Sequence, residues 1–219
     1  MGERLSFDAV IFDADGTLFD TEILMYEVWV EVGREMGLTM TVPEYLNYVG
    51  LNRKTVLDVM RRRIGPDFDG EGFMVRCVDR LSARIEVEGV PLKPGVREVL
   101  ELLYEKGIPV GLATSTHRVR TDRRLELCGL GKYFSATVTG DEVSKGKPDP
   151  EIYQTVCKKL GVSPTSCLAV EDSRNGILSA HDAGLKVAMI PDMVPPTAEL
   201  EAIAYRTFGS LLELRDYLR

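Results

Sequence analysis

The sequence predicts a doubly wound α/β fold, a Rossmann-like parallel sheet with helices on both faces, and a small helical cap domain inserted after the first strand. Three features of the 219-residue chain support this prediction. Short apolar runs alternate with segments of helical periodicity, a glycine follows most helical segments, and one long stretch carries helical pattern alone. Alternating strands and helices are typical of a parallel sheet.

Four apolar runs have the length and composition of strands that are buried on both faces. They are residues 9–12, 109–113, 167–170 and 187–190. None of them alternates between apolar and polar residues, as a strand with one solvent-facing side would do. We therefore expect all four in one sheet that helices cover on both sides.

The segments between these runs carry helical signals. Apolar residues share one helical face at positions 96, 99, 100 and 103, and again at 152, 156 and 160. Glycines at 107, 129, 161 and 184 follow helical segments, where a left-handed residue often ends a helix. Asp149 and Pro150 predict a helix start, with Asp149 as the N-cap and Pro150 in the first helical position.

The stretch after the first strand contains no comparable buried run. Met25, Trp29, Val32 and Met36 recur at steps of four and three residues, and Gly37 would end their helix. We predict that residues 21–90 form a helical cap domain and that residues 1–20 and 91–219 form the α/β core. A continuation of the main domain through 21–90 is the alternative.

Composition narrows the classes of function. The 34 acidic residues exceed the 27 basic ones, giving a net charge of −7, which argues against nucleic-acid binding. The four cysteines have no CxxC spacing, so we expect free thiols in a reducing compartment. No leader-like segment or membrane-length apolar run is apparent, so we expect a cytoplasmic protein without membrane partners. We further expect a monomer, with a weak dimer as the alternative.

Two carboxylates follow the first predicted strand in the segment FDADGTL. Ligands bind open α/β sheets at the carboxyl ends of their strands, which is where Asp13 and Asp15 fall, and Gly16 allows an immediate turn. A calcium loop would need Gly and Glu where this chain has Leu18 and Leu24. An acidic turn without function is the alternative for this motif alone.

Polar side chains also follow later strands. Thr114 and Ser115 come before a predicted helix, whose N-terminus is a suitable place for an anion. Lys147 precedes Pro148, which would restrain the backbone at the lysine. Glu171 and Asp172 follow the strand at 167–170. Carboxylates of Asp13 and Asp172, with a backbone carbonyl and waters, would suit Mg²⁺.

The order of these segments resembles that of the haloacid dehalogenase superfamily of hydrolases. DADGT resembles the first motif of the family, Thr114 or Ser115 the second, Lys147 the third, and the pair at 171–172 the fourth. FDADGTLFDTE, GKPDPEIY and VEDSRNGI are most similar to the branch of β-phosphoglucomutase-like proteins and sugar-phosphate phosphatases. The chain keeps Asp15, which the phosphoryl-transferring members use as acid and base, so the resemblance disfavours a dehalogenase.

The resemblance implies a magnesium-dependent phosphatase that acts on a small metabolite, such as a sugar or polyol phosphate, through an aspartyl-phosphate intermediate. Asp13 would be the nucleophile, Asp15 the general acid and base, and Lys147 a catalytic positive charge. Thr114, Ser115 and Lys147 would bind the phosphate. The metal ligands would come from Asp13, Asp15, Glu171 and Asp172.

Substrate specificity is expected in the cap. The segment 50–53 is a candidate substrate loop in which Arg53 would contact the substrate, although a solvated Arg at a helix start fits equally well. His117 is a further candidate. Related sugar-phosphate mutases carry a histidine where this chain has Met25, which favours a phosphatase and leaves a mutase as the alternative. A phosphate-accepting receiver domain is a second alternative. It would carry its phosphate-accepting Asp after a later strand and would lack a cap insert, so the position of Asp13 after the first strand disfavours it.

Overall fold

The computed structural model describes residues 7–219, and within them six strands form one parallel sheet in the order β3-β2-β1-β4-β5-β6. Part of the predicted core segment 1–20 lies outside the described residues. The expectation that no leader is present also concerns residues outside them. The strands are β1 (Ala9–Phe12), β2 (Val110–Ala113), β3 (Ala136–Val138), β4 (Cys167–Glu171), β5 (Lys186–Met189) and β6 (Arg206–Thr207). The doubly wound α/β class is confirmed.

Ten α-helices accompany the sheet in the described part of the chain. They are α1 (Glu22–Glu35), α2 (Val42–Tyr45), α3 (Arg53–Arg63), α4 (Gly70–Glu88), α5 (Val96–Glu105), α6 (Arg118–Cys128), α7 (Glu151–Leu160), α8 (Arg174–Asp182), α9 (Ala198–Ile203) and α10 (Leu211–Leu218). Over residues 7–219, none of them combines the length and apolarity needed to cross a bilayer.

Strand β1 lies at the centre of the sheet and positions the site. It pairs in parallel with β2 on one side and with β4 on the other, with Phe12 opposite Leu112 and Val170. Because the strands are parallel and in this register, the residues that follow them meet at one edge. Asp13, Thr114 and Asp172 are therefore brought to the same edge of the sheet.

Helices cover both faces of the sheet, as the apolar strands predicted. Val10 and Phe12 point to one face and pack with residues of α5 and α10, while Ala9 and Ile11 point to the other and pack with α7 and α8. The four β1 residues are completely inaccessible to solvent. This alternation places every residue of the strand in one of two apolar layers.

A third apolar cluster lies within α1 to α4 and is built around Trp29, whose ring meets that of Phe73 edge to face at 5.0 Å. Two connections between these helices and the sheet run side by side. The N–H of Asp20 donates to the carbonyl of Pro91 at 2.9 Å, and that of Lys93 donates to the carbonyl of Leu18 at 2.9 Å. These contacts support the proposal that residues 21–90 form a cap domain inserted into the α/β core.

Two details differ from the sequence-based expectation. Strands β3 and β6 were not predicted, because β3 has only three residues with a central threonine and β6 is an exposed pair at the sheet edge. Helix α7 begins at Glu151 with Pro150 as its N-cap, one residue later than predicted, although Asp149 Oδ1 does accept from the N–H of Glu151 at 3.1 Å. The four cysteines are buried and free, as expected.

Candidate active site

Lys147 lies at the centre of the strand edge, where its ammonium group is buried. Its Nζ donates to Asp13 Oδ1 at 2.5 Å, to Glu171 Oε1 at 2.5 Å and to the carbonyl of Ala113 at 3.0 Å. Burial alone would lower the pKa of Lys147, but the charges of Asp13 and Glu171 outweigh it and raise the pKa above its ordinary value. The lysine therefore remains a positive charge beside Asp13.

Three carboxylates form a tight cluster at this edge. Oxygens of Asp13, Glu171 and Asp172 all lie within 4.8 Å of one another. Burial raises the pKa of both Asp13 and Asp172 well above its ordinary value, and the negative charge of Glu171 adds to the effect in each case. A divalent cation would relieve this repulsion, and an all-oxygen donor set suits Mg²⁺. The residues present therefore fit a magnesium ion.

Glu171 is completely buried and holds its neighbours in place. Oε1 accepts from Lys147 and from the Tyr153 hydroxyl at 2.8 Å, while Oε2 accepts from the N–H groups of Asp172 and Ser173 and from the Ser173 hydroxyl. A Cβ on Gly176 would overlap this carboxylate. Glu171 therefore joins the end of β4 to the start of α8 and fixes Lys147.

Asp172 is locked against the turn that follows β1. Its Oδ1 accepts from the Thr17 hydroxyl at 2.8 Å. Gly16 has a φ of 83°, a conformation that favours glycine, and a Cβ at that position would overlap the Asp172 carboxylate. The predicted turn at Gly16 is thus present, and it also makes room for the acidic residue of a distant strand.

Asp15 occupies a different environment from the three clustered carboxylates. Its oxygens accept from the Thr21 hydroxyl at 2.9 Å, from the Thr116 hydroxyl at 2.8 Å and from Arg124. Burial would raise the pKa of Asp15, but Arg124 and the two hydroxyl groups outweigh it and lower the pKa. These three donors engage both oxygens of the Asp15 carboxylate, and its share in the metal site stays a prediction.

A cavity of about 420 Å³ opens over Asp13 and Lys147. Thr114 and Ser115 line it from the sheet, and the cap segment 50–53 lines it from above. The Thr114 hydroxyl accepts from the N–H of Thr116 at 3.1 Å. The structure therefore brings both hydroxyl residues to the cavity that holds the buried ion pair.

A second cavity of about 380 Å³ adjoins the first on the cap side and contains the remaining predicted residues. Arg53 is half-exposed and forms an ion pair with Glu71 of α4. His117 is exposed, with its Nδ1 4.0 Å from Asp141 Oδ2. Met25 lines the same cavity, so the position where related mutases carry a histidine is occupied here by a thioether side chain, and the histidine that lines this cavity is His117.

A hydrogen bond joins the cap segment to the loop after β4, because Asn175 Nδ2 donates to the carbonyl of Gly50 at 2.8 Å. Asn175 belongs to the VEDSRNGI segment, but its spacing alone gave no reason to expect this contact. The link holds the segment 50–53 over the first cavity.

Several side chains of the site were not predicted from the sequence. Tyr153 and Glu22 lie in the segments GKPDPEIY and FDADGTLFDTE, so the family resemblance pointed to their neighbourhood but not to the residues themselves. Arg124 lies within the charged helix α6, where nothing distinguishes it from its neighbours, although it is only 7% exposed. Only the fold shows that it reaches Asp15.

The chain matches the family model described as haloacid dehalogenase-like hydrolase over residues 10–190. It is 37% identical over 179 residues to the phosphorylated carbohydrates phosphatase of Thermotoga maritima, which covers 82% of each chain. It is 32% identical over 187 residues to hexitol phosphatase B of Escherichia coli K12, covering 84% of this chain and 83% of that one.

A similar solved structure is the crystal structure of a HAD family hydrolase from Deinococcus radiodurans with bound phosphate and sodium. It superposes with a TM-score of 0.79 at 29% identity and covers 98% of this chain and 96% of that chain. The family model spans strands β2 to β5 completely and all of residues 21–90. The chain therefore belongs to the haloacid dehalogenase-like hydrolase family.

Proposed function

We propose that the protein is a magnesium-dependent phosphatase that hydrolyses a small phosphorylated carbohydrate, a sugar or polyol phosphate, through an aspartyl phosphate on Asp13. The observation that carries this proposal is the buried ion pair of Asp13 and Lys147 at the floor of an open cavity. The names of the Thermotoga and Escherichia relatives support the class of substrate.

Asp13 is the group that would attack phosphorus. A carboxylate that approaches a phosphate meets charge repulsion, and an opposite charge at 4 Å contributes about 4 kcal/mol at an effective dielectric constant near 20. Lys147 lies within hydrogen-bonding distance of Asp13, so it would offset part of that repulsion. The bond from phosphorus to Asp13 would form as the bond to the leaving oxygen breaks.

Asp15 would move the protons of both steps. In its protonated form, which the lowered pKa of Asp15 makes the minor form at neutral pH, it would transfer a proton to the leaving alkoxide oxygen while Asp13 becomes phosphorylated. As a carboxylate it would then take a proton from the water that attacks phosphorus, which frees Asp13 and releases inorganic phosphate. Thr21 and Thr116 hold the Asp15 carboxylate beside both cavities, in a place suited to this role.

The carboxylates of Asp13 and Asp172 would hold the metal ion, and a bound Mg²⁺ would supply positive charge to the phosphate and to Asp13. All five donors around Glu171 compete with direct metal binding by its oxygens. We therefore assign Glu171 mainly to positioning Lys147. Asp15 contributes no carboxylate oxygen in this proposal.

Thr114 and Ser115 would bind the phosphate oxygens, while Arg53 and His117 would contact the organic part of the substrate. Met25 favours hydrolysis over mutase chemistry, because a thioether cannot carry a proton between a sugar hydroxyl and Asp15. A phosphate-accepting receiver is disfavoured by the family match and by the position of Asp13 directly after β1.

A panel of phosphorylated metabolites with and without Mg²⁺ tests this proposal. We expect the wild-type protein to release inorganic phosphate from sugar or polyol phosphates and from an aryl phosphate, and chelation of the metal to abolish the release. Asp13→Asn should be folded and inactive towards every substrate. Normal turnover by Asp13→Asn, or full activity with excess chelator, would contradict the proposal. The mutase alternative predicts glucose 6-phosphate from β-glucose 1-phosphate in place of free phosphate.

A further inference from the structure

Glu22 lies where the two cavities of the site meet. It is the first residue of α1, directly after the Thr21 that binds Asp15, and its side chain lines both the cavity over Asp13 and the cavity on the cap side. Asp15 lines both cavities as well. A substrate whose phosphate reaches Asp13 would therefore extend its organic part past Glu22.

One oxygen of Glu22 is committed and the other is available. Oε2 accepts from the Tyr45 hydroxyl at 2.9 Å, whereas Oε1 accepts no hydrogen bond from any group in residues 7–219. No lysine, arginine or histidine of the described chain forms an ion pair with it. Burial raises the pKa of Glu22 to about 7, and the charges of Asp15 and Asp192 add to this effect. A partly buried carboxyl group thus faces the cavities with an unused acceptor.

The support behind Glu22 is rigid. The Tyr45 ring is buried and contacts Trp29 edge to face at 5.2 Å and Tyr26 at 5.4 Å. These contacts fix the phenol group whose hydroxyl binds Glu22. The free oxygen of Glu22 is therefore held in one direction, as a residue that selects among substrates requires.

Two of the three arginines near Glu22 already have acidic partners. Arg53 is paired with Glu71, and Arg124 is paired with Asp15, so the charges of both are already compensated. Arg120 also lines the cap-side cavity and forms no ion pair within residues 7–219, so it is the source of attraction for an anionic group there. Because Asp15 and Glu22 face the same space, a second anionic group on the substrate would meet repulsion as well as attraction. This balance favours a neutral organic part that carries hydroxyl groups.

We propose that Glu22 is a specificity-determining residue that accepts a hydrogen bond from a hydroxyl group of a neutral polyol chain attached to the scissile phosphate. This inference rests on the proposed phosphatase function and narrows its substrate class. A hydrogen bond to a charged group contributes enough to change relative rates by about 10- to 100-fold. The effect should therefore be measurable as a preference between substrates.

The test compares sorbitol 6-phosphate with hexyl phosphate, two primary alkyl phosphates of equal chain length that differ in hydroxyl groups. We expect the wild-type protein to have the higher kcat/KM for sorbitol 6-phosphate. In Glu22→Ala the ratio of the two kcat/KM values should fall by about 10- to 100-fold. Glu22→Gln keeps an acceptor oxygen and should retain more of the preference. Glu27→Ala, an exposed position on the same helix, is the matched control and should keep the wild-type ratio.

Three results would overturn the inference. The first is an unchanged ratio in a folded Glu22→Ala protein, and the second is an equal fall in Glu27→Ala. The third is a wild-type preference for fructose 1,6-bisphosphate over fructose 6-phosphate that Glu22→Ala leaves intact, since that result indicates an anionic subsite. Failure of the phosphatase proposal itself is distinguishable, because the wild-type protein would then release no phosphate from any of these compounds.

Discussion

At the scale of single residues, burial and partners decide what each charged side chain can do. Lys147 is one of 27 basic residues, yet it lies buried between two carboxylates, and a buried ammonium group is stable only when it is paired. The sequence indicated Lys147 through its following proline and through the family resemblance. It could not indicate Tyr153 as a further partner of Glu171, because that contact depends on the packing of α7 on the sheet.

Asp15 shows that a sequence motif does not predict the direction in which a side chain points. Its position two residues after Asp13 suggested a shared metal site, but its carboxylate is turned towards Thr21, Thr116 and Arg124. Those partners come from three separate segments, and two of them lie about a hundred residues away. Spacing along one strand could not predict which of its neighbours would bind the carboxylate.

Glu22→Gln gives a prediction for stability as a function of pH. The pKa of Glu in an unfolded chain is about 4.3, whereas burial raises the pKa of Glu22 to about 7 in the folded protein. Between these values the folded state binds more protons, so the contribution of Glu22 to folding stability falls as pH rises through this window. We expect Glu22→Gln to gain about 2 kcal/mol relative to wild type between pH 4 and pH 8, less than the full shift implies because the side chain is partly exposed.

Urea unfolding of both proteins at a series of pH values measures this difference. Glu105→Gln on α5 is the control, since that side chain is exposed. A constant difference between Glu22→Gln and wild type from pH 4 to pH 8 would show that Glu22 is ionised like an exposed residue.

At the scale of elements, the central strands were predictable and the edges were not. Strands β1, β2, β4 and β5 read as apolar runs because both of their faces are covered by helices. Strands β3 and β6 lie at the two ends of the sheet order, where a strand is short and partly exposed. The convergence of strand ends followed from parallel topology alone, which is why the candidate site could be located before its contacts were known.

Gly176→Ala tests how the start of α8 supports the site. A Cβ at position 176 would overlap the Glu171 carboxylate, so that side chain or the helix must shift, and Lys147 would lose its fixed position. We expect kcat/KM to fall by about 100-fold, because a displacement of about 1 Å near reacting groups has effects of that size. Overpacking should also reduce the free energy of unfolding by about 1–3 kcal/mol.

The matched control is Gly131→Ala, where an added Cβ has no neighbour within 4 Å and φ is not in the left-handed region. This variant should keep wild-type kcat/KM and stability. Wild-type kinetics in Gly176→Ala would mean that the Glu171 contact does not position Lys147.

At the scale of the whole molecule, the site lies where the sheet edge meets the helices of residues 21–90. The chain crosses between these parts twice, through adjacent segments that are hydrogen-bonded to each other at Asp20 and Lys93. Met193, from the loop after β5, packs on the apolar cluster of the cap, and Asn175 binds the carbonyl of Gly50. The sequence predicted a cap but could not predict the contacts of Met193 and Asn175, because each lies more than a hundred residues from the segment that it contacts.

The net charge of −7 opposes the binding of an anionic substrate. Positive groups at the site have to overcome this repulsion. Lys147 supplies one buried positive charge, and the clustered carboxylates can bind a cation that supplies more. The proposed catalysis therefore requires the four motif segments to act together on a phosphate group that becomes bound to Asp13.

The most direct test of this claim is to locate the phosphoryl group on the enzyme during turnover. Asp15→Asn should slow hydrolysis of the intermediate because the base that activates water is lost. After incubation with an aryl phosphate and Mg²⁺ and an acid quench, peptide mass mapping should find one phosphoryl group on Asp13. A phosphoryl group on another residue, or stoichiometric phosphate release by Asp15→Asn with none on Asp13 at any quench time, would contradict the account.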